Sequence, residues 1–183
     1  MYEAYKAGKW GFVPDYARLD IIYNYGGIYL DTDVELVRNV DELLYQKAFA
    51  GLQGDLRVAN GLGFGAVPYH ANIKKQMQAY DGKHFVLEDG SYDLTPAPVL
   101  QTEIMKTCGY RMVNKYQIVD DVSILPAPVL GGIIASSVIV DDRVFAIHHY
   151  DGSWVPQERR EKQKKWRSRL SRNLNEYYRK RNL

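Results

Sequence analysis

The chain's 183 residues are 46% hydrophobic, 25% charged and 13% aromatic, enough for one real core and inconsistent with a disordered tract or two full domains. A single cysteine, Cys108, excludes an internal disulfide framework, and no apolar run approaches the roughly 20 residues that span a bilayer. Net charge is +2 but lopsided: from Glu158 onward 11 Lys and Arg face 3 Glu, a balance of +8, which leaves the preceding body at −6.

The first element in chain order is a helix over residues 14–25, PDYARLDIIYNY. Pro14 suits its first turn, Asp15 favours the positive end of the dipole, and Gly26-Gly27 stops it. Ala17, Ile21 and Tyr25 recur at spacing four and are expected to form its buried stripe. Ile28-Tyr29-Leu30 follows, short and apolar between glycines and acids, which predicts a buried strand ending in a carboxylate pair. A short capped helix is expected at 41–45, a strand at 47–52, then the glycine-punctuated NGLGFGAVP. Further helices are predicted at 71–80 and 99–107, and strands near 123–125 and 144–148. This alternation predicts an α/β fold around a mixed sheet over residues 1–156. The remainder, 157–183, reads as one basic amphipathic helix with Trp166, Leu170, Leu174 and Tyr177 along an apolar face.

GGIYLDTD, residues 26–33, carries the chemistry. An Asp-x-Asp triplet is a weak signal alone, and a solvated turn is the plain alternative. Two carboxylates just past a strand end can both turn toward one point, where like charges repel unless a cation lies between them. A hard divalent ion, Mn²⁺ or Mg²⁺, takes such oxygens and leaves room for substrate phosphates. Strand ends are also where α/β folds place their ligands. Asp15 and Arg18, three apart on one helical face, can pair; a structural salt bridge is the competing explanation.

The stretch from Val13 to Leu44 resembles the signature of the family 32 glycosyltransferases, and more distantly that of the clostridial glucosylating toxins, through Asp-x-x-Arg followed by Gly-Gly-x-Tyr-x-Asp-x-Asp. The resemblance implies a GT-A fold and retaining, metal-dependent sugar transfer from a nucleotide-diphosphate donor, a UDP-sugar or GDP-mannose. The implied acceptor is a saccharide or lipid-linked molecule, as in capsular or cell-surface polysaccharide synthesis. It implies Asp31 and Asp33 as metal and diphosphate contacts, Asp15 as an acceptor of sugar hydroxyls steadied by Arg18, and Tyr29 packing beside sugar or nucleotide. Asn60 and Gly61 would lie near the acceptor side. AIHHYDGSW, residues 146–154, resembles the family's C-terminal motif, which implies His149 as a third metal or diphosphate contact and Ser153 with Trp154 closing over the phosphates. Without the family, two adjacent histidines at a strand end are ordinary polar residues. Family members begin with a further strand and helix forming much of the base pocket. The expectation is therefore a shortened GT-A domain, with an open sheet edge that invites a partner chain or homo-oligomer.

Two rivals stand beside this. A haloacid-dehalogenase-type phosphatase also follows a strand with Asp-x-Asp and uses a later acidic pair such as Asp141-Asp142, but Glu35 is not the residue that motif takes and Gly-Gly-x-Tyr has no role in it. The other is an inactive binding module for nucleotide sugar or a membrane surface. The start MYEAYKAGKW lacks the marks of a signal peptide, so the expected location is cytoplasmic, with the basic helix holding the protein at the anionic inner leaflet. Nucleic acid is not an expected partner, because the acidic body repels it.

Overall fold

The computed structural model describes residues 1–134, 137–151 and 157–181, without the side chains of 133–138, 157–167 and 169. Ser153 and Trp154 lie outside the described residues, as does the Trp166 side chain.

Helices α1 (Tyr2–Lys6) and α2 (Pro14–Tyr25) lead into strands β1 (Gly27–Tyr29) and β2 (Val34–Leu36). Strands β3 (Ala48–Gly51) and β4 (Phe64–Ala66) precede α3 (Ala71–Gln78) and α4 (Ala97–Thr107). After them come β5 (Gln117–Val119), β6 (Val122–Leu125), β7 (Leu130–Gly131), β8 (Ile133–Ile134), β9 (Ser137–Val138), β10 (Ala146–His148) and α5 (Gln157–Lys180). The main sheet has the order β1-β4-β3-β6-β5, parallel only between β3 and β6. A second sheet orders β2-β10-β7, with β10 antiparallel to β2 and parallel to β7, and β8 pairs with β9. Mixed sheets flanked by helices give the α/β architecture expected of a GT-A-like fold.

β3 shows how the layers are held. All four of its residues are buried, and strand alternation sends Ala48 and Ala50 to one face and Phe49 to the other. The first face packs under α2, α3 and α4 through Leu19, Ile22, Ile73 and Met105. The second meets Leu62, Leu125, Leu130, Phe145 and Ala146, which fill the seam between the two sheets. Beyond the small sheet, Leu170 and Leu174 of α5 are buried against Val144 and Ile147.

Helix α2 spans the residues its start and stop signals mark, but its buried face is not the expected one. Ile21 and Tyr25 are 51% and 82% exposed, while Arg18, Leu19 and Ile22 are buried. Both faces carry apolar residues, and the choice falls to the one that also brings Arg18 to the strand end. β1 is likewise only half-buried, because it is the edge of the main sheet. Among the described residues no strand pairs with its outer side. The turn joining α2 to β1 needs glycine at position 26, whose φ is +69° and where a Cβ would stand 2.7 Å from Pro68 Cδ.

Candidate active site

The Asp-x-Asp segment crosses from one sheet to the other. β1 ends at Tyr29, a turn closes with the Val34 N–H donating to the Asp31 carbonyl at 3.0 Å, and β2 begins in the second sheet. The turn projects both aspartates toward the end of β10, where the register pairs His148 with Val34.

Each aspartate then has one oxygen fixed and one spare. Asp31 Oδ1 accepts from the Tyr29 hydroxyl at 2.8 Å and pairs with Arg18 Nη1 at 3.2 Å, leaving Oδ2 toward His148 Nε2 at 3.7 Å. Asp33 Oδ2 accepts the Asp151 backbone N–H at 2.8 Å, leaving Oδ1 toward the same nitrogen at 3.5 Å. Among the described residues, Asp31, Asp33 and His148 offer ligand atoms all within 4.8 Å of one another. Ligands of a small divalent ion at about 2.1 Å lie roughly 3 Å apart when adjacent and 4.2 Å when opposite, so the two spare oxygens suit such an ion after a small contraction.

Arg18 organises the wall behind them. It is 5% exposed, a buried charge that is tolerable only when paired. Its Nε donates to the Pro14 carbonyl at 3.1 Å and its Nη2 to Asp15 Oδ1 at 3.0 Å, while its guanidinium lies 4.9 Å from the centre of the Tyr29 ring. One cation thus joins Asp15 to Asp31. Burial pushes the Asp15 carboxyl up to about 6 against the pull of Arg18, with Asp31 adding to the rise. Burial also pushes Asp31 upward, but the His148 imidazole, the Arg18 charge and the Tyr29 hydroxyl outweigh it and hold this carboxyl below its usual value. Burial carries the Tyr29 hydroxyl up to about 12, which keeps it a donor at neutral pH.

The expected third contact, His149, is not with the aspartates. Its Nε2 lies 2.8 Å from Glu35 Oε2, and Glu35 also accepts from the Tyr178 hydroxyl of α5. Adjacent residues of a strand face opposite ways, and the pairing of β10 with β2 turns His148 inward. Sequence reasoning missed both His148 and Glu35; the signal that could have found them is alternation counted along VELV and AIHHY from Asp33. Asn60 is fully buried, its backbone N–H donating to Gln101 Oε1 at 3.1 Å and its Nδ2 to Gln76 Oε1 at 2.9 Å. Those bonds fix the turn that presses Gly61 against Asp31, where a Cβ would come within 2.6 Å of Oδ2. Asp141 and Asp142 are elsewhere, paired with Arg143 and Arg181 at the end of α5, so the second acidic pair of a phosphatase is not assembled at this site.

Residues 1–50 match the family described as glycosyltransferase sugar-binding region containing DXD motif. A human alpha-1,4-N-acetylglucosaminyltransferase is 38% identical over 66 residues, which are 36% of this chain and 18% of that enzyme. No solved structure matches the chain. The two converging aspartates lie in that same matched stretch, so the N-terminal segment of this chain is similar to the DXD-containing sugar-binding regions of the glycosyltransferases.

Proposed function

We propose that the chain transfers a sugar from a nucleoside diphosphate to a saccharide or lipid-linked acceptor, with a Mn²⁺ or Mg²⁺ ion held by Asp31 Oδ2 and Asp33 Oδ1. The observation that carries this reading is the division of labour within each carboxylate, one oxygen held by the protein behind it and the other turned toward its neighbour's and His148. When bound, the ion supplies Lewis-acid neutralisation of the departing diphosphate. Tyr29 and Arg18 hold Asp31 from behind so that its other oxygen keeps its aim. Asp15, ionised at neutral pH, accepts hydrogen bonds from sugar hydroxyls while Arg18 fixes its orientation. The bond from the anomeric carbon to the diphosphate oxygen breaks, and the acceptor hydroxyl oxygen takes its place on the same face. The hydroxyl proton passes to the released diphosphate, so no protein base is needed and configuration is retained.

The outer face of α5 supplies a site of action. Leu170, Leu174 and Tyr177 are buried, while Arg172, Arg179 and Lys180 are exposed. Those cations hold the enzyme to the anionic cytoplasmic leaflet, where lipid-linked acceptors of cell-surface polysaccharides are made.

Calorimetric titration with UDP-sugars and GDP-mannose, with and without Mn²⁺, tests the central claim. The expected signal requires metal and disappears in Asp33→Ala; an undiminished signal in metal-free buffer refutes the ion's role.

A further inference from the structure

Four polar side chains run in single file from the surface to the turn behind Asp31. Asp120 Oδ2 accepts from Asn72 Nδ2 at 2.9 Å, Asn72 Oδ1 from Gln76 Nε2 at 2.8 Å, and Gln76 Oε1 from Asn60 Nδ2 at 2.9 Å. Asn60, Asn72 and Gln76 are buried, while Asp120 at the outer end also meets Lys75 Nζ at 2.9 Å. The direction of the file is dictated by its one charge. A carboxylate can only accept, so Asn72 turns its NH2 end outward to Asp120. Its oxygen end then faces Gln76 and takes that NH2, and Gln76 in the same way offers oxygen to Asn60. Asn60 Oδ1 is left with no hydrogen-bond partner among the described residues.

Asp120 occupies a costly position. With Asp121 it forms the two-residue turn of the β5–β6 hairpin, at φ of +52° and +62°, a conformation that favours Asn-Gly. Asp121 pairs outward with Lys47, and Asp120 reaches inward to α3. At the other end, the Asn60 backbone N–H is tied to Gln101 Oε1 of α4 at 3.1 Å. The next residue, Gly61, is the one whose Cβ would stand 2.6 Å from Asp31 Oδ2.

We infer that Asp120, acting through Asn72 and Gln76, is a positioning residue that sets the Asn60–Gly61 turn and with it the aim of Asp31 Oδ2. This rests on the reading proposed above, in which that oxygen holds the ion. Removing the Asp120 acceptor leaves the Asn72 NH2 buried without its carboxylate. If Asn72 turns over in response, its NH2 meets that of Gln76. The conflict then passes along the file until Asn60 gives up its bond to Gln76. Gln101 and Thr102 still tie Asn60 and Val58 to α4, so the turn loosens without being lost.

The test compares three variants of the full chain with wild type. Asp120→Gly removes the acceptor and suits the positive φ, so the hairpin is kept. Asp120→Asn keeps an oxygen for Asn72 and loses the charge, and Lys75→Met breaks the outer ion pair and leaves the file whole. Each is read by calorimetric titration with Mn²⁺, by thermal melts, and by the Asn60 side-chain amide signals in nitrogen-15 NMR spectra. Asp120→Gly is expected to weaken Mn²⁺ binding by about 3- to 10-fold and to shift the Asn60 signals. Asp120→Asn should restore both, and Lys75→Met should leave both as in wild type. An ion pair that serves stability alone would instead make all three variants alike, which overturns the inference. Unshifted Asn60 signals in Asp120→Gly overturn the relay, and shifted signals with wild-type Mn²⁺ affinity overturn its part in aiming Asp31. A wild-type chain that binds no Mn²⁺ overturns the ion's role, and the Asn60 signals then still support or overturn the relay.

Discussion

Replacing Gly61 by alanine perturbs the site through one atom. The added Cβ would lie 2.6 Å from Asp31 Oδ2 and 3.2 Å from Arg18 Nη1, where real Cβ atoms keep at least 3.0 Å. The carboxylate oxygen must retreat by roughly 0.4 Å, and it is the oxygen left for the cation. Retreat is hindered because Asp31 Oδ1 is tied to Tyr29 and Arg18. If 1 Å of misplacement costs about 10²-fold, this displacement costs on the order of 10-fold in Mn²⁺ affinity. Gly82→Ala serves as the control: its φ of +71° strains an alanine by about 1 kcal/mol, but no atom lies within 4 Å of the new Cβ. Calorimetry with Mn²⁺, alongside thermal melts, should show weakened binding in Gly61→Ala and only lowered stability in Gly82→Ala. Gly61→Ala binding Mn²⁺ as tightly as wild type would refute the claim that this turn sets the aim of Asp31.

Asp15, raised from 3.8 to about 6 in the folded chain, favours folding while protonated; that contribution is whole below pH 3.8 and gone once the pH has risen through 6. Urea unfolding of Asp15→Asn, which keeps an acceptor for Arg18, should therefore gain about 3 kcal/mol on wild type between pH 3.5 and 7.5, and a pH-independent difference would refute the assignment. Leu174→Ala should lower the stability of the whole chain by about 2 to 5 kcal/mol, since the side chain is 5% exposed beside Val144 and Ile147; an unchanged melt would mean that α5 is not docked. Sedimentation with liposomes containing anionic lipid should depend on α5 and vanish as salt rises, because its apolar stripe is already buried in the protein. Equal sedimentation after deletion of residues 158–183 would end that proposal.

What the sequence disclosed and what it withheld follow from whether the cause was local. The ends of α2 were readable because Pro14 and Gly26 act on their own neighbours. Its buried face was not, since Leu19 and Ile22 satisfy helical spacing as well as Ile21 does, and the deciding contact is Arg18 with an aspartate 13 residues away. The pairing of Asp31 with Asp33 came from spacing alone. The choice of His148 over its neighbour came from the pairing of β10 with β2, across more than 100 residues, which no local pattern reports. The strands β2, β4, β5, β7, β8 and β9 escaped notice for a similar reason. Each is two or three residues long and exists only because a partner meets it.

The two aspartates hang from different sheets, Asp31 at the end of β1 and Asp33 at the start of β2. Their separation is therefore a gauge of how the sheets are seated on one another. The seam is filled by Phe49, Leu62 and Leu130, none of which bears a charge or points a ligand. Trimming a methyl group there would let the halves settle by a fraction of an ångström and detune the grip on a cation from a distance. Greasy, chemically silent positions thus set the geometry of the site as much as the acids they space apart.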